Sequence, residues 1–83
     1  MDNDIENILA EREKTHGDFA DVSEIAQTIK STYRRSYSLS NAELEALDLI
    51  STKIARIAAG DRLADHWLDI EGYARLARRE IDG

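Results

Sequence analysis

Asp65 and Asp69 are four residues apart, so on a helix they project from one side, one turn from each other. They lie about 100° or more from the stripe that such a helix must bury. Two carboxylates so placed offer hard oxygen ligands to Mg²⁺, a cation that keeps part of its water shell and completes it with phosphate oxygens. Glu45 and Asp48, three apart, form a second pair expected to point away from the core, so the two pairs meet only if a partner subunit brings them together. The plainer alternative makes Asp65 an N-terminal helix charge and Asp69 a solvated residue paired with Arg62 or Arg75. Spacing alone leaves both readings open.

Lys53 and Arg56 flank an apolar helical stripe one turn apart, where they can grip a phosphate while their stems cover Ile57. They can equally pair with Asp65 or Asp69 across the molecule. Thr15-His16-Gly17-Asp18 joins two helical segments at a permissive glycine, the kind of turn whose free N–H groups attract anions. There His16 is a candidate acid, base or ligand, or a turn residue bonded to a carbonyl, and Asp18 is a ligand candidate or an N-cap. His66 beside Trp67 carries a weaker signal of the same kind. Tyr33-Arg34-Arg35-Ser36-Tyr37 mixes bases with aromatics as nucleic-acid binders do, but five residues on an acidic chain read more simply as a helix end. No Walker loop, dinucleotide fingerprint, zinc spacing or nucleophile with a neighbouring base occurs in the sequence.

The composition narrows the field. With 83 residues the chain suffices for one small domain, residues 1–83, and a domain of this size buries only about 60% of its unfolded surface. Completion by homo-oligomerisation is therefore expected. The absence of cysteine removes disulfides and thiolate ligands. The net charge of −6 opposes attraction to a nucleic-acid backbone. No apolar run approaches the roughly 18 residues of a membrane span, and the acidic start is unlike a signal peptide. A cytoplasmic protein that binds neither nucleic acid directly nor a membrane is expected.

With no proline, four glycines and no period-2 stretch, the fold class is read as all-α, a bundle of four helices. The first spans about 3–14, with Ile5, Ile8 and Leu9 on one stripe, and ends at Gly17. The second starts near Asp18 and carries Phe19, Val22, Ile25, Ala26, Ile29 and Tyr33 on its apolar face. Ser40 to Glu43 is a capping box, with Leu39 and Leu44 as a hydrophobic staple, which starts the third helix at Asn41. Along it Leu44, Leu47, Ile50, Ile54, Ile57 and Ala58 are expected inward, and Glu45, Asp48, Thr52 and Arg56 outward, up to a C-terminal Gly60. The fourth, capped by Asp61 or Asp65, is expected to bury Leu63, Trp67, Ile70, Tyr73, Ala74, Ala77 and Ile81. Leu49, Leu68 and Leu76 fall outside these stripes and point to an additional buried surface, most simply an interface between copies.

Glu11-Arg12, Thr15-His-Gly-Asp-Phe19, Gln27, Lys53-Ile-Ala-Arg-Ile57, Gly60-Asp61 and Asp65-His-Trp-Leu-Asp-Ile-Glu-Gly-Tyr-Ala-Arg-Leu76 together resemble a family of small uncharacterised phage and prophage proteins. The likeness covers roughly residues 8 to 77. More distantly the chain is similar to nucleotide-modification-associated phage domains and to the MazG-like all-α nucleoside-triphosphate pyrophosphatases. That resemblance implies a helical, often oligomeric protein whose acidic helix pairs bind Mg²⁺ and nucleotide phosphates. It implies Asp65 and Asp69 as metal ligands, Lys53 and Arg56 as phosphate contacts, and His16 with Asp18 as the far wall; Tyr73 is a further ligand-binding candidate. The pyrophosphatases carry one Glu-x-x-Glu and one Glu-x-x-Asp, whereas here only Glu45-x-x-Asp48 keeps that spacing, so catalysis is not implied with the same force as binding. Two functions are expected in competition: a phage-encoded accessory protein that binds a nucleotide-like phosphate ligand with Mg²⁺, and an acidic anti-defence protein that inhibits a host immune complex, such as a CRISPR effector, by direct binding or by sequestering a signal.

Overall fold

The computed structural model describes the backbone of Asp2–His16, 18–36 and 38–83, and side chains throughout except those of residues 2, 3 and 12–16. Four helices follow in order: α1 (Asp2–His16), α2 (Phe19–Ser31), α3 (Asn41–Ala58) and α4 (Ala64–Asp82), with no strand among the described residues. The all-α expectation holds. Among the described residues the extensive helix contacts are α2 with α3 and α3 with α4, which makes α3 the central element.

Local chemistry explains the boundaries. Asp18 caps α2, its carboxylate accepting from the Ala20 N–H at 2.8 Å. The predicted capping box opens α3: Ser40 Oγ accepts from Glu43 N at 3.1 Å while Glu43 Oε1 accepts from Ser40 N at 2.9 Å, satisfying two otherwise orphaned donors. Leu39 and Leu44 are both half-buried. Ala59 closes α3, and Gly60 follows at φ +116°, a conformation that side-chain-bearing residues rarely adopt. The expected helix stop is thus in place.

α3 is used on two sides. Ser51 and Lys53, two residues apart and so about 160° apart around the axis, face different neighbours: Ser51 faces Tyr33, in the turn just past α2, and Lys53 faces α4. On the α2 side Val22, Ala26 and Ala55 form a buried cluster extended by Ile25 and Ala59. The single-face assignment for α3 is corrected accordingly. Asp48, Thr52 and Arg56, expected in solvent, are half-buried, whereas Ile54 and Ala58, expected inside, are exposed. A helix with neighbours on both flanks leaves only two narrow strips to water.

α4 also differs from expectation. Neither Asp61 nor Asp65 is its N-cap: that position is Leu63, which makes no side-chain cap. Asp61 instead accepts from Leu63 N at 3.3 Å and is itself buried. The packed face runs through His66, Asp69, Ile70, Tyr73 and Ala77, while Leu63, Trp67, Ala74 and Ile81 are exposed, as is Phe19 on α2. The burial of a histidine rotates α4 away from the orientation that would sink Trp67. No helix among the described residues is long and apolar enough to cross a membrane.

Candidate functional site

The sequence candidates that the fold brings together lie along the α3–α4 seam. Lys53 Nζ and Asp69 Oδ2 are 2.9 Å apart, the lysine side chain 21% and the aspartate 42% exposed. This is the cross-molecule alternative anticipated for Lys53, with Asp69 as its partner in place of Arg62 or Arg75. Because the pair is wet, its two charges are held weakly and are available for exchange with other ions. Asp65, one turn earlier in the first turn of α4, is exposed, and Arg56 and Tyr73 are half-buried.

Beneath this ridge lies a second polar contact. Asp61 Oδ2 is 2.7 Å from His66 Nε2, with side chains only 1% and 7% exposed. The approach is poorly aligned for a hydrogen bond, and neither ring nitrogen of His66 has a hydrogen-bond partner. The carboxylate is fixed by its own backbone, since Asp61 N donates to Arg56 O at 3.0 Å and Oδ1 accepts from Leu63 N. The connection between α3 and α4 therefore tucks a charge inward and places a histidine against it. Sequence reasoning treated Asp61 as a possible cap and His66 as a weak candidate. A histidine five residues past an aspartate, straight after a helix-ending glycine, was the available signal.

On the other side of α3, Tyr33 Oη donates to Asp48 Oδ1 at 2.6 Å and lies 3.3 Å from Ser51 Oγ. Burial raises the Tyr33 phenol above its usual value, and the hydrogen bond to Asp48 adds to that rise, since both favour the neutral form. Asp48 is thereby committed to Tyr33, which lies in the turn just past the Thr32 C-cap of α2 and not on the helix face expected for it. Glu45 remains exposed, so within one chain the Glu45/Asp48 pair does not join Asp65 and Asp69. Arg34 donates to Gln27 Oε1 at 3.1 Å and its N–H bonds Lys30 O, so the Tyr33-Arg34-Arg35 run is a helix end, as expected.

Of the remaining candidates, Asp18 is exposed and occupied as the α2 cap, and the His16 side chain and Gly17 lie outside the described residues. Among the described residues no cluster of three or more histidines, aspartates and glutamates could hold a metal. Asp65 and Asp69 can supply the one or two carboxylates that Mg²⁺ takes when phosphates complete its shell, but not an all-protein cage.

A family model described as "Domain of unknown function (DUF6378)" matches residues 1–81. The chain belongs to the DUF6378 family. No curated protein and no solved structure matches it. The DUF6378 match spans the α3–α4 seam and the four helices, so seam and scaffold both fall within the matched residues.

Proposed function

We propose that this DUF6378 protein binds a phosphate-bearing ligand of nucleotide type along the α3–α4 ridge. The observation that carries the reading is the partly exposed Lys53–Asp69 ion pair, which sets a cation and a carboxylate side by side on the α3–α4 seam. A ligand phosphate would take Lys53, with Arg56 one turn away, and would release Asp69. Asp69 with Asp65 would hold Mg²⁺, which would supply charge neutralisation for the phosphates. Tyr73 lies on the same helix, one turn beyond Asp69, as a surface for the rest of the ligand. The sequence resemblance to phage proteins with MazG-like relatives supports the same reading, under which the protein would work in the cytoplasm of a bacterial host. The working form is taken to be an oligomer.

The test is calorimetric titration and thermal melting with mono-, di-, tri- and cyclic nucleotides, each with and without Mg²⁺. A ligand at 100 times its Kd should add about 2.7 kcal/mol of stability. Lys53→Met should weaken that ligand about tenfold or more by removing a charge-assisted contact, yet change the stability of the free protein by under about 1 kcal/mol because the pair is solvent-screened. Flat titrations with every nucleotide would sink the proposal. A second reading, inhibition of a host defence complex by direct binding, is favoured by the large apolar residues left exposed on an acidic chain.

A further inference from the structure

The distribution of apolar side chains is uneven. Among the described residues the buried apolar side chains are Val22, Ala26, Ala46 and Ala55, and larger ones such as Leu47, Ile50 and Ile57 are half-buried, whereas Ile5, Ile8 and Leu9 on α1 and Trp67 and Ile81 on α4 are 55–67% exposed. On α1 the three fall at i, i+3 and i+4, one stripe of a helix. On α4 Trp67, Ala74 and Ile81 recur every seven residues, a seam-like flank continuous with the packed face at Ile70 and Ala77.

Area and shape give the scale of what is missing. The chain exposes 6523 Å², against about 5,000 Å² for a folded monomer of this mass. The excess is about 1,500 Å² per chain, or about 3,000 Å² for two, within the range of obligate homodimer interfaces. The radius of gyration is 15.0 Å and the extents 47 × 26 × 25 Å, where a compact chain of this length has a radius of about 12 Å.

We infer that a second copy of this chain covers these surfaces, with the Ile5/Ile8/Leu9 stripe of α1 from one protomer lying on the Trp67/Ala74/Ile81 flank of its partner's α4. Charge selects this pairing over α1 on α1. The opening turns of α1 carry Asp2, Asp4 and Glu6, which would repel their own copies in a parallel α1–α1 pairing, whereas Arg75, Arg78 and Arg79 in the later turns of α4 offer these acids three cations. Among the described residues Arg78 makes an exposed 3.7 Å contact to Asp82, a weak and solvent-screened pairing that a better partner could replace. A twofold axis makes the exchange reciprocal, so both stripes on both chains are covered and the assembly closes as a dimer. The inference is independent of any ligand at the α3–α4 ridge.

Sedimentation of the full chain tests it, with a dimer of twice 9.4 kDa expected, together with a melting temperature that rises with protein concentration. Ile8→Asp should weaken the dimer about tenfold or more. Should that variant lose its fold, a second experiment still decides. The chain has no cysteine, so Glu6→Cys can carry a single nitroxide. Mixed with unlabelled, isotope-enriched protein, it should broaden the Trp67 indole and Ile81 methyl signals of the enriched copy. A monomer at every concentration, capture of a different protein by these stripes with no self-association, or an oligomer in which Trp67 and Ile81 stay sharp would each overturn the inference.

Discussion

The seam around α3 and the outer surface of α1 and α4 are built from opposite materials. The most deeply buried part of the seam is made of small residues and short polar contacts, with larger aliphatics such as Ile25 packed at its edge: Ala55 is fully buried and Ser51 nearly so, Tyr33 ties the turn after α2 to α3, Lys53–Asp69 ties α3 to α4, and Asp61–His66 ties their connection to α4. The outer surface carries isoleucine, leucine and tryptophan. Small residues at a helix crossing let backbones approach closely but bury little area, and area is what drives folding. The difference teaches that the seam fixes geometry, while much of this chain's hydrophobic potential is unspent within a single copy.

The contrast is sharpest at Asp61 and His66. Removing one partner of a buried polar contact leaves the other without its neighbour and costs about 1–3 kcal/mol, more where the stranded group is a carboxylate, against the roughly 5–15 kcal/mol typical of a whole domain. Asp61→Ala and His66→Ala should therefore each lower the melting temperature by about 5 °C or more, followed by far-ultraviolet circular dichroism. Full-length helix content with an unchanged melting temperature would instead mean that the pair is held for a ligand, and the seam would lose its structural role.

Tyr33 offers a milder probe of the α2 side. Tyr33→Phe removes the donor from half-buried Asp48 and should cost about 1–2 kcal/mol at neutral pH. The sign with pH follows from the raised phenol pKa. The protonated phenol is favoured in the folded state, so its contribution is complete below the unfolded value near 10 and is lost as pH rises through the higher folded value. Phenolate absorbance should show a component titrating above the ordinary tyrosine range, and that component should vanish in Tyr33→Phe. Identical titration of wild type and variant would break the assignment.

How much of this was legible in the sequence divides along the same line. The capping box at Ser40–Glu43 and the stop at Gly60 are local chemistry, readable because three or four residues settle each. The Lys53–Asp69 contact was foreseen as one alternative among several, since cations and carboxylates on facing helices have few other places to go. The facing of α3 was not legible: a helical wheel assumes one core, whereas Ser51 and Lys53 serve two neighbours. Trp67 was placed inside because size and hydrophobicity favour burial. The buried His66 overrules that, because a carboxylate already fixed inside by the backbone at Arg56 and Leu63 needs a partner more than an indole needs cover.

The smallest effect separates the two flanks of α4. Gly72 lies in the helix interior, and a Cβ there meets nothing within 4 Å. In an uncovered flank Gly72→Ala should raise stability by about 1 kcal/mol through helix propensity alone, visible as a higher melting temperature at all concentrations. A loss of stability would show that the Leu68/Leu76 side is also closely covered and would enlarge the interface beyond the Trp67 flank.

The most direct measurement is amide hydrogen exchange of the full chain across a hundredfold range of protein concentration. The seam should report its own fold, with the Ala55 amide protected throughout, while the amides of Ile5, Ile8 and Leu9 gain protection as concentration rises and a partner covers α1. Exchange in α1 that is the same at every concentration, while Ala55 stays protected, would contradict the claim that the outer surface is completed by a second copy.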